Sequence, residues 1–341
     1  SIVFPGQKGI TPGCGVSLGK KQIILLPDLE REAVPMVQAC VAPYLARLSG
    51  GGGVIRVVNI FGLSEEEVHE KIEPKYGSLR NPTVSVRSKQ GEVQAVISTQ
   101  ANSKAEASML AAPVIKGLLG MFGEYAYGVD QVSLQNVVIG SLRANRMTIA
   151  SAEDGTEGLL EDLLEETDSS GRIYLKGFQG PLAVPEKILK KYGPASPQTA
   201  AAMAKGAMET THASFGIAAA GDGKHFFGAV CDSRAVWTVE VDVPERLSEA
   251  YLQRMLVLAV LDFARRVIAA LPQRYEGATS LVAAAEGKLA KPFSAKIPIP
   301  PGQESKKKKK KKEKREKKRG GFLSSIFPFP GDSFGEVLRK V

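Results

Sequence analysis

The sequence predicts a layered α/β protein made of more than one unit, and three observations carry that prediction. Short apolar runs, several with two-residue alternation, take turns along the chain with apolar residues at helical spacing. Four consecutive glycines, Gly50 to Gly53, interrupt the chain and mark a boundary or a flexible joint. A hydrophobic content of 43% over 341 residues is ordinary for a folded, water-soluble chain with a real core.

Residues 1–49 read as a strand, a Gly/Pro turn, another strand and a helix. Ile23 to Leu26 is a short apolar run closed by Pro27 and Asp28, and Glu32 to Leu48 carries apolar residues at helical spacing. This stretch is too short to fold alone. The next unit, 50–132, opens with a strand at Val54 to Ile60, and Ser64 with Glu67 three residues later is a capping-box start for a helix through Ile72. Asn81-Pro82 makes a turn. Thr83 to Arg87 and Glu92 to Thr99 then alternate as half-buried strands around Gln90-Gly91. A helix from Ser103 to Leu119 and a short strand at Tyr125 to Tyr127 complete this unit. Gly117-Leu118-Leu119-Gly120 matches the G-x-x-G loop with which KH domains clamp a nucleic-acid backbone, but its two leucines and the neutral surroundings favour packing.

The third unit, 133–271, alternates strands and helices in the manner of a sheet covered by helices. A strand near Met147 to Ser151 feeds a turn, a helix near Leu159 to Glu165 and a segment around Arg172 to Phe178. The Ala- and Met-rich helix Pro197 to Thr211 precedes strands at Phe215 to Ala219, Phe226 to Cys231 and Trp237 to Val243. Leu247 to Leu271 closes the unit as a long helix. Residues 272–341 read as a linker stiffened by Pro298, Pro300 and Pro301, a polybasic run and an aromatic tail.

Composition excludes several functional classes. The longest apolar stretches, Met109 to Phe122 and Met255 to Leu271, contain Pro113 and Lys116 or Asp262, Arg265 and Arg266, so neither is read as a bilayer span, which needs roughly 20 predominantly apolar residues. No secretory leader is read at Ser1. Cys14, Cys40 and Cys231 are far apart and lack metal-ligand spacing, which fits reduced thiols in a cytoplasm. With only three histidines, no metal site is expected, and no cofactor. The net charge of +9 is concentrated between Lys306 and Arg319, where 12 Lys or Arg and 2 Glu leave the rest of the chain close to neutral.

Several strings resemble one family, CinA, in order along the chain. Gly9-Ile10-Thr11-Pro12-Gly13, Leu25-Leu26-Pro27 and Met36 are similar to the end of its N-terminal molybdopterin-binding-like domain. Phe61-Gly62-Leu63-Ser64-Glu65, Asn81-Pro82-Thr83 and Tyr127-Gly128 resemble its KH-type middle domain. Thr148-Ile149-Ala150, Ala152-Glu153, Gly193-Pro194-Ala195-Ser196, Met203-Ala204-Lys205-Gly206 and Gly228-Ala229-Val230 resemble its C-terminal domain. The resemblance implies an amidohydrolase that converts nicotinamide mononucleotide to nicotinate mononucleotide and ammonia. It also implies a metal-assisted ADP-ribose pyrophosphatase in the N-terminal domain, of which this chain is read to hold only about the last third, so that activity is not assigned.

Covalent amide hydrolysis needs a hydroxyl nucleophile, a base and donors for the oxyanion. The family places a serine after Ala-Glu, followed by Cys-Thr-Gly-Gly. Here the string is Ala152-Glu153-Asp154-Gly155-Thr156-Glu157-Gly158, so Asp154 stands at the serine position and Glu157 at a glycine. Asp154 suits a helix N-cap, with Glu157 completing a capping box; as a carboxylate nucleophile it would be unusual for an amide. The pair also makes acidic a helix end that would otherwise suit the substrate phosphate.

The family's Tyr and Lys are matched nearby by Tyr174 and Lys176, although counting back from Gly193 places Ile173 and Phe178 there. Ser151, Thr156, Ser169 and Ser170 are the remaining hydroxyls, each also readable as a turn or cap. The family's substrate-contacting turn is reduced to Ala218-Ala219-Ala220-Gly221-Asp222-Gly223, where Asp222-Gly223 suffices for a hairpin. The expected site is therefore Asp154, Tyr174 and Lys176 with substrate contacts at Thr156 and Gly221.

Two functions stay open at this point: a member of the fold without deamidation, binding a nicotinamide nucleotide or acting as a scaffold, and an active amidohydrolase with a shifted nucleophile. A cytoplasmic homo-oligomer is expected. The Lys306–Arg319 run reads as a solvated linker, a contact with an anionic membrane or partner, or a nonspecific nucleic-acid binder. Each Lys or Arg near an anionic surface contributes about 1 kcal/mol.

Overall fold

The computed structural model describes residues 1–6, 11–19, 21–49, 52–181, 184–242, 247–270 and 276–297. Gly9, Ile10, Gly50, Gly51, Leu271, the prolines of the linker, the polybasic run and the aromatic tail lie outside the described residues. Contacts divide the chain into one compact unit of Ser1–Phe61, Glu66–Arg87 and Val93–Val137 and another of Gly62–Glu65, Ser88–Glu92 and the described residues from Val138 on.

The first unit opens with β1 (Ile2–Phe4), β2 (Gly13–Leu18) and β3 (Lys21–Leu25), an antiparallel sheet in that order. The helical stretch that follows is α1 (Glu30–Met36), a π-helical turn at Val37–Val41 and α2 (Ala42–Ser49). Phe4, Met36 and Val41 form its small core with Tyr44 against them. The sequence shows two strands here and the structure three. The expected Gly/Pro turn gives way to β2, in which Gly13 and Gly15 leave room for packing: a Cβ at Gly13 would meet the Met36 sulfur at 2.6 Å and one at Gly15 the Ile2 side chain at 2.7 Å.

Next come β4 (Gly52–Ile60), α3 (Glu65–Tyr76), β5 (Thr83–Lys89), β6 (Glu92–Ala101), α4 (Lys104–Phe122) and β7 (Ala126–Val129). Their four strands form one sheet in the order β5-β6-β4-β7. Ser103 caps α4 by accepting from the Glu106 amide. Ala107, Ala111, Val114, Ile115, Leu118 and Phe122 recur on one face of α4 and are buried, and the helix packs on β4. By length and composition alone α4 is apolar enough to cross a bilayer. The Gly117–Gly120 string lies inside α4, so it forms no clamp loop, and Leu118 is fully buried.

The remaining elements are α5 (Leu134–Ala144), β8 (Ile149–Asp154), α6 (Leu159–Thr167), β9 (Tyr174–Gln179), α7 (Glu186–Tyr192), α8 (Pro197–Thr211), β10 (Phe215–Gly221), β11 (Phe226–Cys231), β12 (Ala235–Asp242), α9 (Glu249–Ala269), β13 (Thr279–Ser280), α10 (Leu281–Ala285) and β14 (Phe293–Lys296). Seven strands form one sheet in the order β13-β12-β11-β10-β8-β9, with β14 also on β12. The stretch after residue 271 is thus not all linker: β13 pairs antiparallel with Ala235 and Val236, and β14 parallel with Val239 to Asp242.

At the centre, β8 runs parallel to both β9 and β10. Small residues let α8 approach closely: Ala200, Ala201, Met203, Ala204, Ala207 and Met208 pack on Ala150, Ala152, Ala218, Ala220, Ala229 and Cys231. Helix α9 packs on β10, β11 and β12, and its Val260 side chain would lie 2.7 Å from a Cβ at Gly228. Strand alternation then assigns the faces. Ala152 and Asp154, opposite Ala218 and Ala220, belong to the α8 face; Ser151 and Glu153, opposite Ile217 and Ala219, belong to the other.

The α8 contact sets a tight limit at Gly216, where a Cβ would come 1.9 Å from the Ala204 carbonyl oxygen. Gly216→Ala should destabilise the protein by about 1–3 kcal/mol, the usual cost of overpacking. A denaturant titration showing Ala equal to Gly would refute this packing.

Candidate functional site

Because β8, β9 and β10 are parallel, their carboxyl ends open on the same edge of the sheet, where open α/β sheets bind ligands. Asp154 is the last residue of β8 and pairs with Ala220, while Glu153 pairs with Gln179 of β9. The chain then turns through Gly155, Glu157 and Gly158, all at positive φ (+86°, +54° and +86°), before α6 begins. A Cβ at Gly155 would sit 2.9 Å from the Gly221 carbonyl oxygen, and one at Gly158 would sit 3.0 Å from the Gln179 side-chain nitrogen. Asp154, the 155–158 turn, Gln179 and Gly221 therefore converge at one edge. Glu157 adopts a left-handed conformation that glycine takes without penalty, at a position where the resembled family has glycine.

The capping box expected from Asp154 and Glu157 does not form. The N-cap of α6 is Gly158, and no side chain of its own caps the helix. The carboxylate that serves this end is Glu153, 2% exposed. One Glu153 oxygen accepts from the Thr156 hydroxyl at 2.5 Å and the Leu160 amide at 3.1 Å, and the other accepts from the Glu161 amide at 2.9 Å. These amides belong to the helix's first turn, which has no intrahelical acceptors. The left-handed turn delays the helix to Leu159 and so moves Asp154 out of capping reach. Asp154 is half-buried and Glu157 exposed, and among the described residues no side-chain hydrogen bond or ion pair engages either.

Thr156, expected at the substrate, is 1% exposed and committed to Glu153. Tyr174 is also buried, and its hydroxyl lies 2.7 Å from Ser151 Oγ, which is itself fully buried. Burial pushes the Tyr174 phenol well above its ordinary value; the Ser151 hydrogen bond opposes this, and the negative charges of Glu161, Glu153 and Glu165 add to it. A phenol so shifted keeps its proton and makes a poor base at neutral pH. Lys176 is exposed, with its ammonium over the Phe178 ring at 5.2 Å. Ser169 and Ser170 follow the far end of α6, a helix about 13 Å long. Of the expected residues, the structure brings Asp154 and Gly221 to the sheet edge, buries Thr156 and Tyr174, and leaves Lys176 on the surface.

Two residues outside the expected set hold this region together. Glu153 is one; an acid that directly follows the buried run Ile149 to Ala152, within the same strand, is the signal that marks it. Asp168 is the other. Its carboxylate accepts from the Ile173 and Tyr174 amides at 2.6 and 3.0 Å, from Ser170 Oγ at 2.8 Å and from Arg143 at 3.2 Å, fixing the entry into β9. Burial alone would raise the Asp168 pKa, but these hydrogen bonds outweigh it and hold the carboxyl below its ordinary value. The hairpin expected at Asp222-Gly223 is present, with Asp222 accepting from the Lys224 and His225 amides.

A three-layered α/β domain, with helices on both faces of its sheet and a candidate site at the carboxyl edge of β8, preceded in sequence by a KH-type α/β domain, is the class of protein defined here. Residues 131–224 match the CinA C-terminal domain, and residues 55–128 match the damage-inducible protein CinA KH domain. A CinA-like protein of Desulfovibrio desulfuricans is 31% identical over 294 residues, covering 80% of this chain and 69% of the relative. The chain belongs to the CinA family. A CinA-like protein of Dictyoglomus turgidum is 33% identical over 229 residues, 65% of this chain and 56% of its own, so the chain spans little more than half the length of that relative. A putative competence-damage inducible protein of Clostridium acetobutylicum is 29% identical over 286 residues, 78% of this chain and 69% of its own. Among solved structures, a CinA superfamily protein from Klebsiella pneumoniae 700603 is similar at a TM-score of 0.37 and 18% identity, over 40% of this chain and 96% of that one.

Two outcomes follow from the carboxylates. Glu153→Ala should cost at least about 1.5–3 kcal/mol, since a hydrogen-bonded buried carboxylate is lost and first-turn donors are left unmet. Asp154→Ala should change stability by no more than about 0.5 kcal/mol. Denaturant titrations that reversed this order would return the cap to Asp154. For Asp168, the folded pKa lies below the ordinary 3.8, so its stabilisation is complete above that pH and is lost as pH falls through the depressed value. Asp168→Asn should be less stable than the parent at neutral pH, with the gap closing on acidification. A gap that stayed constant in acid would contradict the assignment.

Proposed function

We propose that this CinA-family protein retains the amidohydrolase-like fold without nicotinamide mononucleotide deamidation, and that it binds a nucleotide or serves as a scaffold. One observation carries the reading. The residue at the resembled serine position, Asp154, is a half-buried carboxylate ending β8, and the hydroxyls near it are unsuited to replace a nucleophile. Ser151 is 0% exposed and bonded to a phenol that keeps its proton; Thr156 is sealed against Glu153. An attacking hydroxyl must reach the amide carbon and pass its proton to a base, and neither group does both.

Electrostatics point the same way. Asp154 and the exposed Glu157 place negative charge beside the turn, and Asp222 follows Gly221 on the neighbouring strand end. A phosphate-bearing substrate would meet like charges there. The Glu153 cap does not distinguish active from inactive copies, because the Ala-Glu pair belongs to the resembled family pattern as well. The alternative reading, an active amidohydrolase with a shifted nucleophile, draws support from the 2.7 Å Ser151–Tyr174 pair, but it needs the pair to become accessible.

Purified protein comprising residues 1–341 should release no ammonia from nicotinamide mononucleotide above a protein-free control. Asp154→Ser alone should not restore release, because Glu157 remains. Turnover by the unaltered chain that is abolished by Lys176→Ala or Ser151→Ala would overturn the proposal.

A further inference from the structure

We propose that the outer edge of β12 is a strand-addition site for a second copy of this chain, and that residues 276–297 form a strap that keeps it closed. On one flank β12 pairs with β11 from Val236 to Val241. A strand whose other flank is bare offers unpaired amides and carbonyls to any extended chain. Here that flank is taken by two short pieces of the strap. Strand β13 contributes two residues antiparallel to Ala235 and Val236, and β14 four residues parallel to Val239 to Asp242. The same edge thus accepts strands of either sense, and its hydrogen-bonding groups are not specific to the strap.

Few contacts hold the strap. Of residues 276–297, Thr279, Gly287 and Ile297 are buried, while α10 buries none of its side chains and Val282 is 75% exposed. Thr279 accepts from the Ala290 amide at 2.9 Å, a bond internal to the strap. Phe293 is half-buried, with its ring centroid 5.5 Å from that of Phe263 on α9. Leu281, Ala284 and Leu289 rest partly buried on the α8 face of the sheet. Strands β10 and β11 are buried almost throughout. A segment with so little burial opens locally at a lower free energy than the core it covers.

The composition of β12 selects a copy of itself as the occupant. Under a two-fold axis at Val239, two β12 strands pair antiparallel with Trp237 opposite Val241, Thr238 opposite Glu240 and Val236 opposite Asp242. No acid then faces an acid, and one face of the pairing is wholly apolar. Strand β12 contains no Pro or Lys, the residues that commonly guard a bare edge, so the strap supplies that protection. In the sheet order β11 and β10 separate β12 from β8, which leaves Asp154 outside the contact.

Hydrogen exchange of the unaltered 341-residue chain, read by mass spectrometry, should show amides of 279–297 exchanging at least about tenfold faster than those of 215–231. Changing Phe293 and Ile297 together to Ser removes two anchors of the strap. In analytical ultracentrifugation this variant should gain a concentration-dependent doubling of mass over the parent. An excess of synthetic peptide 289–297, which carries β14, should reverse the gain, and a scrambled peptide should not. A folded variant that associates no more than the parent, or association that the peptide leaves unchanged, would overturn the proposal. So would strap amides in the unaltered chain as slow as those of 215–231, a result that stands whether or not the variant folds.

Discussion

The buried Glu153 carboxylate is the interaction on which the candidate site depends. It sits in the central strand β8 and takes up donors from the start of α6, so one side chain locks the strand end to the helix that follows. A carboxylate at a helix N-terminus is favoured by both the unmet amides and the helix dipole. With that lock in place, the turn between strand and helix can run through three left-handed residues without fraying, and it delivers Asp154 to the sheet edge beside Gly221. The Ala-rich contact of α8 with β8 and β10 fixes the other face of the same strand. The site is thus braced from both faces before any ligand is considered.

Much of the fold was legible because local and tertiary signals agreed. Helix α8 begins and ends where the sequence places it, with Ser196 as the cap, Pro197 in the first turn and an unbroken Ala/Met face. Strand β11 also matches, since its apolar residues are bounded by turns on both sides. The failures have physical causes. Strand β2 was hidden because Gly13 and Gly15 are there to admit neighbouring side chains rather than to turn the chain. Strands β13 and β14 are short, and distant pairing with β12 makes them strands.

The site was legible in position and not in detail. The Asp154–Glu157 spacing imitates a capping box, but Gly155 and Gly158 are the better guides, because they permit the left-handed turn that postpones the helix. Tyr174 was singled out for its type, and its burial against Ser151 depends on β9 lying beside β8, which sequence spacing does not encode. Lys176 has the right chemistry and an exposed placement over Phe178. Where the resembled pattern has a serine, this chain has the Asp154 carboxylate, which no described side chain engages.

The proposal that deamidation is lost joins two features, the Glu153 brace that keeps the strand and helix together and a carboxylate at the resembled serine position. The most direct measurement is a proton NMR time course of nicotinamide mononucleotide in the presence of the 341-residue protein. The nicotinamide ring resonances should persist unchanged, with at most the line broadening of a reversibly bound nucleotide. Progressive replacement by the resonances of nicotinate mononucleotide, in proportion to protein added, would contradict the account.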